Sequence, residues 1–323
     1  MTESQTPAAQ ASSVPTEKTF RAYTEEQAIH YAKSRRGYHE GLYKIIADHH
    51  TSTGGEMGTL LDVGCGPGTV AREFAPQFAR AVGLDAAPGM IAAARSLGGV
   101  SSTSEPIRFD VSTAEELGSN LSPPIAAEEI DLISSAAAAH WYDMPAFWAA
   151  AARVLKPGGT VAIWTGNGYI HPSTPNHQRM QAVLEQFQDE HLASHMAAGN
   201  LIGRTNYETL PLPWTLDKPI PAFDEATFVR KEFNKNGADS ENHELFLGKQ
   251  TWDLDAVEKY MSTISPVTRW REANPDLVET EKDVVRRLRR EVERLLHEGG
   301  VERGEEKITT GVAGVLLLVK KRD

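Results

Sequence analysis

Residues 60–69 read Leu-Leu-Asp-Val-Gly-Cys-Gly-Pro-Gly-Thr. An apolar run of this kind reads as a buried strand, and it flows into a loop with glycine at 64, 66 and 68. Glycines at alternate positions let the backbone turn sharply and approach a ligand without a Cβ clash. The segment from Thr69 then reads as a helix, whose first amides point back at the loop. A Gly-x-Gly by itself carries little weight; its place at a strand-to-helix junction is what restricts the fold. Such a junction belongs to open α/β sheets that bind a ligand at the carboxyl ends of their strands.

The rest of the first half keeps the same rhythm. Strands are expected at Thr59–Val63, Arg80–Asp85, Ile107–Val111, Glu129–Ser134 and Thr160–Trp164, and helices at Thr69–Phe78, Met90–Leu97 and Ala146–Leu155. Strands alternating with helices predict a parallel sheet covered on both faces. Upstream, Thr24 to His50 reads as helical, with Thr24 and Gln27 forming a capped start. His49 and His50 fall at its end, where a cation suits the helix dipole. Past residue 166 the rhythm breaks. Helices are expected at Gln178–Met196, Leu254–Ile264 and Glu279–Leu296, and strands at Ala226–Phe233, Glu244–Thr251 and Ile308–Lys320, the last interrupted by Gly311 and Gly314. The prediction is a doubly wound, seven-stranded, mostly parallel sheet with its last strand antiparallel. Residues 1–19 read as a disordered tail, 20–57 as an N-terminal cap, 58–166 as the ligand-binding core, 167–300 as a lid insertion and 301–323 as the final strand, all within one domain.

A second acidic residue follows the loop at a telling distance. Asp85 ends the second strand 21 residues after Gly64, near the spacing of about 20 for a carboxylate that accepts both hydroxyls of a ribose. The dinucleotide fingerprint G-x-G-x-x-G also carries such a residue, but Thr69 stands where that pattern has its third glycine. The segment instead resembles motif I of class I S-adenosylmethionine-dependent methyltransferases, written hh-D-h-G-x-G-x-G, with Asp62, Gly64, Gly66 and Gly68 in the matching places. That resemblance implies S-adenosyl-L-methionine as cofactor, its amino-acid part over the loop around Cys65, and Asp62 as the residue that orients the loop. Asp85-Ala86 through Met90 is similar to the family's D-x-S-x-x-M turn, which implies Met90 against the adenine. Where relatives have G-D-A-E after the third strand, this chain has Thr113 at the Asp position, so the Thr113 hydroxyl or the Ala114 backbone N–H takes the adenine edge. Leu155-Lys-Pro-Gly-Gly159 matches the structural turn before the fifth strand.

The fourth strand ends in Ser-Ser-Ala-Ala-Ala-Ala-His-Trp-Tyr-Asp, residues 134–143. No N/D-P-P-Y/F/W occurs here, which disfavours adenine or amide N-methylation of that kind. Small residues from Ala136 onward allow a close approach, and His140 and Trp141 stand at the mouth. The A-x-x-x-H-W-(F/Y)-D pattern, with the motifs above, resembles fungal trans-aconitate methyltransferase and its neighbours in the methyltransferase type 11 group. It implies O-methylation of a small carboxylic acid or secondary metabolite, with S- or N-methylation open. Tyr31 and Arg35 resemble the segment Y-x-x-x-R-P-x-Y-P that closes over the cofactor carboxylate, with Arg36 in place of its proline. Met261 to Trp270 resembles a lid helix and loop. A carboxylate nucleophile is already anionic and needs no base, which makes His140 and Trp141 donors to the substrate. A phenol or alcohol needs one, and His140 is then the candidate base.

Charge excludes other classes. With 33 Lys+Arg against 44 Asp+Glu the formal charge is −11, which argues against nucleic acid or an anionic membrane as partner. No apolar run nears the roughly 18 residues of a membrane helix, and the N-terminus lacks a secretory pattern. The single cysteine, Cys65, excludes an internal disulfide and a multi-cysteine metal site, and no metal is expected. His191 and His195 have ligand spacing on a helix but no third partner. The arginine-rich stretch 286–290 reads as an exposed helix face paired with Glu291 and Glu293. The expectation is a cytoplasmic monomer or homodimer with a small-molecule substrate. A nicotinamide-dependent oxidoreductase and a non-catalytic cofactor-binding scaffold are the competing readings.

Overall fold

The computed structural model describes residues 19–35, 37–234 and 246–323. The predicted tail (Thr19 apart), Arg36 and the start of the strand expected at Glu244 lie outside the described residues. Eight strands form one sheet: β1 Thr59–Val63, β2 Arg80–Asp85, β3 Arg108–Val111, β4 Ile130–Ala136, β5 Leu155–Ile170, β6 Val229–Phe233, β7 Gln250–Asp253 and β8 Lys307–Lys320. Their order is β3-β2-β1-β4-β5-β8-β6, with β7 joined to β8 off this path. Strands β1 to β5 pair in parallel, and β8 runs antiparallel to β5, β6 and β7. The order reverses between β1 and β4, so the carboxyl ends of these two strands open a crevice.

The two faces of the sheet follow from period-two alternation. Leu61, Val82 and Ile133 point to one face, where they meet Phe147 and Trp148 of α5 (Met144–Val154). Leu60, Leu132 and Trp164 point to the other, against α2 (Glu40–Ser52), α3 (Thr69–Phe74) and α4 (Pro88–Leu97). All five residues of β1 are buried, as a strand covered on both sides requires. Asp131, on the amino-terminal side of the sheet, is buried but satisfied by the Thr59 N–H at 2.6 Å and by Lys156. The helix dipole does not explain His50. It is fully buried and uncharged in the core, bonded to the Thr160 hydroxyl at 2.7 Å and the Glu56 carbonyl at 2.9 Å, and burial lowers its pKa.

Beyond the core, β5 is longer than the sequence implied and runs alongside β8, which covers the stretch expected at Ile308–Lys320. They pair continuously from Thr160 opposite Lys320 to Ile170 opposite Thr310. Gly311 and Gly314 do not interrupt β8, because the rings of Tyr169 and Phe246 fill the space that a Cβ would take. The overhang of β8 is what accepts β7, the eighth strand. This ribbon carries a third apolar cluster, built from Ile170 and Ile308 with α6 (His177–Phe187), α8 (Leu254–Met261), α9 (Ser265–Ala273) and α10 (Val284–Glu298). On α10 the buried residues Val285, Leu288, Val292 and Leu295 recur at helical spacing. The helix expected over 178–196 ends at Phe187 and continues as a π-turn over Gln188–Leu192 and a 3₁₀ turn over Ala193–His195.

Upstream, the helical span from Thr24 divides into α1 (Glu25–Ser34) and α2. The capping box of α1 is present: Thr24 N–H donates to Gln27 Oε1 at 2.8 Å, and Gln27 N–H to Thr24 Oγ1 at 3.2 Å. Helix α1 lies on α4 through a small cluster of Ala28, Ala87, Met90 and Ala93. A Cβ on Gly89 would come within 2.0 Å of the Tyr23 carbonyl, so the cap reaches α4 only across a glycine.

Trp148 is the pivot of the α5 face. It is fully buried, touches Phe147 and Phe223, and its indole N–H donates to the Pro211 carbonyl at 3.0 Å. Trp148→Ala is expected to lower the unfolding free energy by about 3–5 kcal/mol, read by urea denaturation; a loss under about 1 kcal/mol would contradict this packing.

Candidate active site

The loop after β1 holds Gly64, Gly66 and Gly68 at φ of 63°, 54° and 82°. This left-handed conformation strains any residue with a Cβ. Space separates their roles. A Cβ on Gly64 would lie 2.6 Å from both Ala138 Cβ and Tyr142 Oη, and one on Gly68 would lie 2.8 Å from the Phe109 ring. Gly66 has nothing within 4 Å on that side and faces open volume. Tyr142 underlies the loop, donating to the Val63 carbonyl at 2.9 Å and contacting Ser135 Oγ at 2.9 Å.

Two carboxylates stand near this loop, and only Asp85 bonds to it. Asp85, at the end of β2, accepts the Gly66 N–H at 2.9 Å through one oxygen and the Ala87 N–H at 2.8 Å through the other. Burial raises its pKa, and those two N–H groups pull it back. Asp62, in the middle of β1, accepts the Ser134 hydroxyl at 2.8 Å. It is 1% exposed, and its Oδ2 has no hydrogen bond of ordinary geometry. Burial pushes it up to about 7, against the pull of the Ser134 hydroxyl and the nearby Ala71 N–H.

Above these strand ends lies a cavity of about 290 Å³. Its floor is Gly64 and Gly66. Asp85, Ala86 and Met90 form one wall, Ser112, Ala114 and Glu115 the next, and Ala136 to Ala138 the wall at the end of β4. The roof comes from distant segments: Phe20, Arg21, Tyr31 and Arg35 from the N-terminal cap, Asn200 from α7 (Ala198–Arg204), and Ile264 to Pro266 at the start of α9. Ser265 falls in the stretch Met261 to Trp270 that resembles a lid, whereas nothing in local sequence pattern marked Phe20, Arg21 or Asn200.

Arg35 contributes a buried cation. Its Nη1 donates to the Tyr260 hydroxyl at 3.1 Å, while its Nε is buried without a partner. Burial works against its charge, and the neighbouring tyrosines, Tyr260 foremost, more than offset it, so its pKa is raised. His140 and Trp141 lie on a 3₁₀ turn after β4, their rings 4.7 Å apart. The turn is pressed against α7, where a Cβ on Gly199 would meet the His140 carbonyl and the Trp141 ring at 2.5 Å. His140 Nδ1 meets the Tyr207 hydroxyl at 2.9 Å, and burial lowers the imidazole to about 4, so it is neutral at physiological pH.

Four of the residues read from motifs stand outside this lining. Asp62 lies in β1 before the loop, Gly68 closes the loop against the Phe109 ring, and Cys65 is buried with its thiol pushed well up by desolvation. Thr113 is turned away: its hydroxyl accepts the Glu116 N–H at 3.2 Å and contacts the Glu116 carboxylate at 3.3 Å, capping its own turn. The adenine-edge position is therefore flanked by Ser112 and Ala114. His191 and His195 fall in separate turns; His191 meets Arg287 at 3.3 Å. The arginines of α10 pair across elements, Arg286 and Arg289 with Glu258 and Arg290 with Glu281, while Glu291 pairs with Arg294.

Comparison with known proteins agrees with this geometry. Residues 61–163 match the Methyltransf_11 methyltransferase domain family. Methyltransferase cfoB of Aspergillus candidus is 35% identical over 156 residues, which are 48% of this chain and 47% of that protein. A Saccharomyces cerevisiae protein, named as a probable S-adenosylmethionine-dependent methyltransferase, CRG1, is 23% identical over 77% of this chain and 82% of its own length. A solved structure from Anaeromyxobacter dehalogenans, described as a candidate type II methyltransferase, superimposes with a TM-score of 0.58 over 88% of this chain and 97% of that one, at 21% identity, and shares the fold. Residues 61–163 thus constitute a class I methyltransferase domain, and S-adenosylmethionine is the cofactor of that class. The chain spans about half the length of cfoB.

The Asp62 carboxyl makes stability depend on pH. Its folded pKa lies above its ordinary value of 3.8, so the native state binds the proton more tightly than the unfolded chain. The resulting stabilisation is full below about pH 4 and is lost as pH rises toward 7. Asp62→Asn removes an ionising group, so its unfolding free energy relative to the parent should rise by on the order of 3 kcal/mol between pH 4 and pH 8. Parallel stability–pH curves would contradict the shift.

Proposed function

We propose that the chain transfers a methyl group from S-adenosylmethionine to an oxygen of a small carboxylic acid, of the trans-aconitate type or a secondary metabolite. The observation that carries the cofactor half is the pairing of opposite charges across one cavity. Asp85 spends two of a carboxylate's roughly four acceptor positions, one on the loop and one on the start of α4, and keeps two for a pair of ribose hydroxyls. Arg35 lines the cavity, has no carboxylate partner among the described residues, and offers its guanidinium to a carboxylate. Gly66 leaves room above the loop, and Met90 and Ala114 flank a slot suited to a flat base. When bound, S-adenosylmethionine supplies a methyl group on a positively charged sulfur.

The acceptor half rests on His140. An imidazole that titrates near 4 is a weak base at neutral pH, which favours an acceptor that arrives already anionic. Attack by an anion on a sulfonium cancels charge, and a pocket closed by Phe20, Trp141 and Ile264 favours that change by excluding water. Trp141, beside it, can donate its indole N–H to the acceptor. An acceptor hydroxyl or thiol is the second reading, and the polar contact between His140 and Tyr207 is what favours it, since it engages Nδ1 and leaves Nε2 as the nitrogen to take the acceptor's proton. No helix among the described residues is long and apolar enough to cross a membrane. The acidic balance favours small molecules over nucleic acid as acceptor, and the proposal includes a cytoplasmic monomer or homodimer.

Titration calorimetry with S-adenosylhomocysteine, followed by methyl-label transfer to a panel of small carboxylic acids, tests both halves. Asp85→Ala should weaken S-adenosylhomocysteine at least tenfold, about 1.4 kcal/mol; undiminished affinity would remove Asp85 from the cofactor site. For a carboxylate acceptor the turnover rate should stay level between about pH 5.5 and pH 8, because the imidazole has already lost its proton below that range. An acid limb near pH 4 that disappears in His140→Gln would instead make His140 the base and the acceptor a hydroxyl or thiol, whereas a limb from the acceptor carboxylate itself would persist in that variant.

A further inference from the structure

Arg35 follows the last turn of α1, with its own N–H bonded to the Tyr31 carbonyl at 3.0 Å. Its guanidinium lies between two phenol rings, 5.2 Å from the centre of the Tyr31 ring and 4.5 Å from that of Tyr260. Tyr31 belongs to the same helix and lines the cavity. Tyr260 comes from α8, 225 residues away in sequence, and stands outside the lining, behind Arg35. It touches Arg35 twice over: the ring faces the cation, and the hydroxyl accepts Nη1 at 3.1 Å. No carboxylate of the described residues pairs with Arg35, and its Nε is buried with no partner. A guanidinium in that state is costly unless an anion or a π-face compensates it. Tyr260 supplies the π-face and fixes one edge of the planar fork, which leaves the guanidinium N–H groups on the cavity-lining side of Arg35 for an anion.

Tyr260 is itself held. The Trp252 ring of β7 packs against it at 5.7 Å, and the Trp252 indole N–H donates to Thr310 of β8 at 2.8 Å. A chain of contacts therefore runs from the overhang of β8 through Trp252 and Tyr260 to Arg35 at the cavity wall.

We propose that Tyr260 is a positioning residue, holding the Arg35 fork toward the carboxylate of the cofactor's amino-acid part, so that α8 contributes to cofactor affinity without touching the cofactor. The proposal rests on reading the cavity as the cofactor site. Two ligands separate the two ideas: S-adenosylhomocysteine carries the carboxylate, whereas 5′-methylthioadenosine keeps the adenosine and thioether and lacks it. Calorimetry on the full chain should give an about tenfold loss for S-adenosylhomocysteine in Tyr260→Leu and about threefold in Tyr260→Phe, which keeps the ring and loses the hydroxyl. Affinity for 5′-methylthioadenosine should not change in either. Arg35→Leu should show the same selectivity, and adding Tyr260→Leu to it should cost nothing further, because the two act through one contact. In turnover, Tyr260→Leu should raise KM for the methyl donor and leave kcat unchanged.

Parent protein that binds neither ligand overturns the cofactor-site reading itself. Parent protein that binds both, with Tyr260→Leu matching it on S-adenosylhomocysteine, overturns the positioning role alone. Equal weakening of both ligands in the Phe variant, the one least disturbing to packing, assigns Tyr260 to general structure and overturns the role as well.

Discussion

The two hydrogen bonds accepted by Asp85 set the geometry on which the site depends. One oxygen holds Gly66 of the loop after β1, and the other holds Ala87 at the start of α4. β1 and β2 are neighbours in parallel register, with Asp62 opposite Gly83, so this single side chain locks two strand ends and a helix start together. The loop it stabilises turns sharply, with three glycines in left-handed conformation within five positions, where a residue with a Cβ would be strained. The same carboxylate thus has a structural task before any ligand arrives. Its remaining acceptor positions face the cavity because the N–H bonds have already fixed its plane.

A cavity above strand ends needs a roof, and this fold obtains it from both termini of the core. The N-terminal cap reaches α4 only because Gly89 permits a close backbone approach. The C-terminal layer is brought over by the long β5–β8 ribbon and has an apolar cluster of its own. The two meet at Arg35 and Tyr260. Electrostatics follows the same division: the chain carries a charge of −11, yet the cavity has a buried guanidinium on one side and a carboxylate on the other. Net charge governs which large partners approach, whereas a small bound molecule responds to the groups within a few ångströms, where screening by water is weak.

Features written in contiguous residues were legible in the sequence. The glycine loop, Asp85, Ala86, Met90 and the alanines after β4 all line or shape the cavity, because each is defined by strand ends and turns whose chemistry is local. The Thr24 capping box was readable for the same reason. Thr113 was not, since a hydroxyl three residues before a glutamate can cap its own turn as easily as face a ligand, and here it does the former. His50 was read as a charged helix end, but the helix carries it into the core, where Thr160 and Glu56 satisfy it as a neutral ring.

By itself the sequence determined a doubly wound sheet with a ligand site at the β1–β4 switch, because hydrophobic period and backbone conformational demand are short-range properties. Only the tertiary structure decided what closes that site and how its groups ionise. Phe20, Asn200, Ser265 and Tyr260 meet across some 245 residues of chain, an arrangement with no local signature. His140 drops to about 4 and Asp62 climbs to about 7 through desolvation. Desolvation is a property of everything packed around a group, so it exists only once the chain has folded.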